Sequence, residues 1–261
     1  MPHNALDPEL IVETIDKLRA RIRERFPEAN LGNVADSLLT IAQAHSTRIE
    51  RIRAPNWLLR SLSIALVLGG LATLVLLAMS IKLHVDDEWR VSDAIQTLEA
   101  GVSTLFFLGA GAVFAASLEL RRKRRRCLQA VHEMRAMAHI VDMHQLTKDP
   151  ERMGGRDVDT PSSPARSLGL FELTRYLNYC SEMLSLIGKV AALYAQSFAD
   201  SQALAAVDEV EDLTTGLSRK IWQKIMILDQ SAAVAAARPP AQPCPPPPSA
   251  SSEVPPAHRP E

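Results

Sequence analysis

Charged and apolar residues are sharply segregated along this chain, and the segregation defines its elements. From Ser61 to Ile81 run 21 consecutive residues without a charge, and from Ala100 to Leu118 another 19. At ~1.5 Å per residue these lengths come to about 28–31 Å, the thickness of a bilayer's hydrocarbon core. Both runs are apolar on all sides and not along one stripe, so neither suits the surface of a soluble domain. The first starts too deep in the chain and is too long for the apolar region of a signal peptide. The rest of the chain is too small and polar to bury both runs in a core. The pattern predicts a transmembrane hairpin, with helices over 57–83 and 99–120 joined by a short extracytoplasmic loop at 84–98.

On either side of these runs the pattern becomes amphipathic. Asp7 before Pro8 is a helix start, an N-cap followed by proline at the first helical position. Leu10, Ile11, Ile15, Leu18 and Ile22 then form a stripe that ends at Phe26-Pro27. Asn33 is placed to cap a second helix, whose stripe of Val34, Leu38, Ile41, His45, Ile49 and Ile52 has the heptad-like spacing of a coiled coil. Residues 1–55 therefore read as an antiparallel helix pair. After the second span nothing breaks the helix until Lys148-Asp149-Pro150. Residues 121–148 should continue it, with Cys127, Val131, Met134, Ala138 and Val141 on one face. Residues 149–166, rich in Gly, Pro, Ser and Asp, read as a linker.

Two further helices over 167–235 carry stripes at Leu173, Leu177, Cys180, Leu184, Ile187, Ala191 and Tyr194, and at Leu204, Val207, Val210, Leu217, Ile221, Ile225 and Leu228. Asp200-Ser201 suits the N-cap of the second, which would close an antiparallel hairpin. Its wide apolar face needs a partner: the N-terminal pair, the 121–148 extension or another subunit. Residues 238–261 read as a disordered, polyproline-prone tail.

Proline usage agrees with this division. Of 17 prolines, ten lie between Pro239 and Pro260, and none falls in 56–149 or 165–238. Proline costs about 3 kcal/mol inside a helix, so the proline-free stretches read as helical. No segment alternates with the period of a half-buried strand. The predicted fold class is all-α, an integral membrane helical hairpin with cytoplasmic helical hairpins at both ends.

Charge sets the orientation. Arg48, Arg51, Arg53 and Arg60 precede the first span, and Arg121, Arg122, Lys123, Arg124, Arg125 and Arg126 follow the second. The connecting loop has only Lys82 and Arg90, so the positive-inside rule puts both termini in the cytoplasm. A plasma membrane or a bacterial inner membrane fits that arrangement. Trp57 and Trp89 fall near the membrane boundaries, where an amphipathic ring is well placed. The net charge of −1 gives no reason to expect a nucleic-acid partner.

Candidate chemistry is sparse. There is no glycine-rich phosphate loop, nucleophile elbow, C-x-x-C or H-E-x-x-H motif, so neither an enzyme nor a cofactor is expected. His132, Glu133, His139, Asp142 and His144 are spread over several helical turns, with His132 about 10 Å from the later pair, and read as a solvated face and not a metal site. Cys127, Cys180 and Cys244 are odd in number and lie in cytoplasmic segments, which argues against structural disulfides. Cys127, beside the membrane, is a candidate for acylation as well as for simple packing. Gly111 with Ala115, and Ala112 with Ala116, are small-xxx-small pairs suited to hairpin closure or to self-association.

The run Arg121–Arg126 is the strongest local signal. It is a stop-transfer flank and a candidate contact for anionic lipid headgroups, and Glu119 is placed to pair with one of its arginines. Two functions fit the whole pattern. One is a membrane-anchored scaffold or regulatory protein acting through cytoplasmic helix–helix contacts, with itself or with a cytoplasmic protein. The alternative is an oligomeric cation channel, its pore lined by the stripe Asp93, Gln96, Glu99 and Ser103.

Overall fold

The structure is a computed structural model that describes residues 5–83, 91–148, 150, 161 and 168–237. Most of the 149–166 linker, residues 84–90 and the 238–261 tail lie outside the described residues. The chain is all-helical, with no strand among the described residues: α1 (Pro8–Arg25), α2 (Leu31–Gln43), α3 (His45–Arg53), α4 (Trp57–Leu83), α5 (Val91–Leu146), α6 (Leu170–Ser197) and α7 (Ser201–Ala237).

Local chemistry sets the helix ends. The Asp7 carboxylate accepts the Glu9 N–H at 2.9 Å, and Pro8 opens α1. At α7, Asp200 Oδ1 accepts the N–H groups of Gln202 and Ala203 at 3.1 and 3.2 Å. Both caps occupy donors that would otherwise lack partners. Asn33 does not cap α2. It sits inside the helix, and Asn30 occupies the cap position without a side-chain bond, so α2 starts three residues earlier than the capping pattern suggests. The heptad-like stripe of 34–52 is also interrupted. Ala44 has ψ −9°, well short of the roughly −42° of an α-helix, and this splits the run into α2 and α3.

The helix α5 spans 56 residues without a break, about 84 Å at helical rise. It starts at Val91, so residues 91–98 form its first two turns and not a loop.

Its first half pairs with α4. Gly70 faces Leu105 and Leu108, and a Cβ on Gly111 would come within 3.3 Å of Leu66 Cδ1. Ala115, one turn on, is 2% exposed. The Gly111–Ala115 pair therefore closes the hairpin, whereas Ala116 is exposed. An open apolar groove of about 350 Å³ lies between the two helices, lined by Leu66, Gly70, Leu74, Leu105, Leu108 and Ala112.

The second half of α5 enters a six-helix domain with one core, drawn from α1, α2, α3, α6 and α7 as well. The wide face of α6 is thus covered by α7, by α5 and by the N-terminal helices of the same chain. Ion pairs fix how the helices align. Arg124 meets Asp200 at 2.7 Å and Arg135 meets Glu209 at 3.0 Å, so α7 runs parallel to α5. Arg21 of α1 meets Glu182 of α6 at 2.7 Å.

Gly188 of α6 allows α7 to approach, since a Cβ there would stand 3.2 Å from Thr214 Oγ1. Two residues of the sequence-derived stripes are exposed, Leu10 (60%) and Leu204 (43%). Each lies one position beside the helical repeat, which runs through Ile11 in α1 and Ala203 in α7.

Truncating Leu177→Ala, a fully buried α6 side chain, should destabilise the domain by about 2–5 kcal/mol, and Leu10→Ala by less than about 0.5 kcal/mol. Thermal melts of the detergent-solubilised chain followed by helical circular dichroism measure the difference.

Candidate functional site at the hairpin–domain junction

Two helices of the chain are long and apolar enough to cross a membrane, and protein does not cover them. Only 6% and 11% of their most apolar windows are buried. Leu58, Val67, Leu71, Leu76, Phe106, Phe107 and Phe114 are among the exposed side chains. The basic run lies where this bare hairpin meets the packed domain.

The structure divides that run in two. Lys123 Nζ binds Glu119 at 2.8 Å, an i,i+4 pair, so Glu119 takes the lysine and not one of the arginines. The Glu119 carboxylate also accepts the backbone N–H of Asn56, at the start of α4. Arg124 donates through Nε and Nη2 to Asp200 Oδ2, at 3.1 and 2.7 Å, which ties α5 to the start of α7. Arg126 donates to the carbonyl of Arg51 at 2.9 Å, in the last turn of α3. These three cations are bound within the fold. Arg121, Arg122 and Arg125 are exposed and have no partner among the described residues.

Asp200 thus has two tasks, capping α7 and receiving Arg124. The Arg124 hydrogen bond holds its carboxyl below the usual range, helped by the N–H groups of Ala203 and Gln202.

A second polar cluster is buried nearby. His45 is 3% exposed and meets the Tyr194 ring edge-on, with centroids 4.6 Å apart. His45 Nδ1 and the Tyr194 hydroxyl lie beside the Arg48–Glu133 ion pair without a well-aligned hydrogen bond. Burial, then the charge of Arg48, pushes the His45 pKa down, and burial pushes Tyr194 up.

Cys127 is fully buried and burial pushes its thiol up to about 11. It is a core side chain, closed to acylation in the folded domain. Cys180 is equally buried, its thiol pushed up to about 12.

The remaining candidates are dispersed. Glu133 is engaged by Arg48, and Asp142 accepts from Gln145 Nε2 at 2.6 Å. His132 and His139 are exposed. Among the described residues no group of three or more His, Cys, Asp or Glu could hold a metal. Gln96, Glu99 and Ser103 are exposed on α5. By helical spacing they lie on the side away from α4, and the same side continues into Phe107 and Phe114. The polar stripe therefore ends one turn into the span.

Sequence spacing gave the Glu119–Lys123 pair its i,i+4 signal. The partners of Arg124, Arg126 and Arg48 are 75 or more residues away and have no local signature. Comparison with protein-family models, curated proteins and solved structures gives no match.

Asp200→Ala should cost about 1–3 kcal/mol through loss of both cap and ion pair, and Asp200→Asn about 1 kcal/mol or less because the cap survives. Thermal melts of the two variants separate these contributions. A second expectation concerns pH. The His45 pKa is lowered in the fold, so as pH falls the unfolded chain binds its proton first, and the stabilisation present above about pH 6.5 is lost as pH falls below that value. Melting temperature should drop as pH falls from about 7 to 5. His45→Phe, which keeps the ring contact, should flatten that slope, and the residue left over belongs to His144, which burial shifts the same way.

Proposed function

We propose that the chain is a two-pass membrane protein whose α4 and first half of α5 cross the bilayer, holding a six-helix domain at the cytoplasmic surface as a scaffold or regulatory module. The observation that carries this reading is α5 itself, one unbroken helix whose first half exposes apolar side chains and whose second half is built into a packed core. Large contiguous apolar surface is not stable against water and needs another medium or a partner.

Basic residues at both ends of the hairpin support the orientation with both termini inside. The interaction role is supported by the domain's far end, where Met143 and Leu146 of α5 and Trp222 and Met226 of α7 are 56–69% exposed. Exposed tryptophan and methionine are favoured at protein contacts. The channel reading has less support, because Phe107 and Phe114 follow the polar stripe on its own face.

Alkaline carbonate washing should leave the full-length chain in the membrane pellet. In a Cys244→Ser background, Asp86→Cys should react with an impermeant maleimide from outside the cell, and Glu28→Cys only after permeabilisation. Cys127 and Cys180 should stay unlabelled until the protein is denatured. Proximity labelling from the N-terminus should recover a defined protein set, or the chain itself, that Trp222→Asp with Met226→Asp depletes. Release by carbonate refutes the anchor. Conductance in planar bilayers that Asp93→Asn with Glu99→Gln alters would favour the channel instead.

A further inference from the structure

We infer that Arg121, Arg122 and Arg125 form a binding surface for the phosphate headgroup of an anionic phospholipid, separate from the other three cations of the run. The inference rests on the membrane reading above and specifies the lipid chemistry at this junction.

Three observations carry it. The first is the division of labour within the run. Lys123, Arg124 and Arg126 are bound by Glu119, Asp200 and the Arg51 carbonyl, and the free arginines are exposed, Arg121 and Arg125 on the side that helical rotation turns away from α4 and the domain, with Arg122 beside them. Arg125 lies one turn beyond both Arg121 and Arg122, so the three guanidinium groups share one side of α5.

The second is local charge. Glu119, the acid nearest in sequence, is held by Lys123 and the Asn56 N–H, which leaves the positive field of the three arginines uncompensated by it.

The third is what lies above them. Phe107 and Phe114 are 70% and 62% exposed, and Phe114 precedes Arg121 by seven residues, which returns to the same helix face about 10 Å further along. One face of α5 therefore passes from aromatic to cationic over the depth at which a lipid passes from acyl chain to phosphate. Guanidinium groups bind phosphate oxygens through paired N–H donors. A soluble anion would gain from the arginines alone, whereas a phospholipid gains from both ends of the face.

The test uses the full-length chain in a mild non-ionic detergent, titrated with phosphatidylglycerol, phosphatidylcholine or inorganic phosphate, with bound lipid counted by native mass spectrometry. The wild type should prefer phosphatidylglycerol to phosphatidylcholine, with a preference that weakens as salt rises. Arg121→Gln/Arg122→Gln/Arg125→Gln should lower that preference roughly tenfold or more while leaving the melting temperature unchanged. Arg124→Gln/Arg126→Gln should do the reverse, lowering the melting temperature and keeping the preference.

Phosphatidylglycerol binding by the triple variant equal to wild type overturns the inference. Displacement of the lipid by equimolar inorganic phosphate overturns it too, since the site would then be one for free phosphate. Carbonate extraction separates this failure from that of the underlying reading. A chain that resists extraction, yet whose triple variant keeps the preference, leaves the anchor standing and removes the lipid site. A chain released by carbonate removes both.

Discussion

A single unbroken helix carries a bare apolar surface in its first half and a packed one in its second, and most of the architecture follows from that constraint. The apolar side of α5 changes direction along its length. In the first half Gly111 and Ala115 face α4, and in the second half Cys127, Val131, Met134, Ala138 and Val141 face the core shared with α6 and α7. Between them lies the stretch from Glu119 to Arg126, where neither set of contacts is complete. Charged side chains hold this stretch, because it needs directional bonds to three other helices: Asn56 before α4, the last turn of α3 and the first of α7.

That geometry explains why six neighbouring cations do different work. Successive residues on a helix turn by about 100°, so a compact basic run points in every direction. Lys123 pairs along α5 with Glu119, and the two arginines directed at neighbouring helices met a carboxylate and a carbonyl and became part of the fold. Those directed outward were left without a partner among the described residues. The same logic applies to His45 and Arg48, three residues apart on α3. Arg48 reaches Glu133, whereas His45 is enclosed against Tyr194 at the expense of its own hydrogen bonding.

Much of this was legible in the sequence where the signal is local. The two apolar runs, the caps at Asp7 and Asp200, and most stripe positions follow from spacing and side-chain chemistry a few residues apart. Leu10 and Leu204 were misplaced because a leucine beside a stripe looks the same as one in it until the helix phase is fixed by packing. The break at Ala44 has no glycine or proline to announce it, and it coincides with His45 turning onto Tyr194, 149 residues away in the chain. Of the three candidate partners for the buried face of the α6–α7 hairpin, the fold uses two together, the N-terminal helices and α5, and only tertiary contact shows this. The sorting of the arginines was hidden for the same reason, since it depends on where α3 and α7 end and begin.

The two legs of the hairpin join the domain differently. On the α4 side the helix stops at Arg53, and Ala54, with ψ 126°, leads through Pro55 to a new helix. On the α5 side there is no interruption. One leg is thus a hinge and the other a shaft. Any tilt of the hairpin must be carried into the domain by α5 and absorbed at 54–56. With about 26 residues of α5 beyond its basic run's start, a tilt of ~10° would displace the far end by about 7 Å. The domain's outer surface, with Trp222 and Met226, would move together with the junction arginines, because both are fixed to the same unbroken helix.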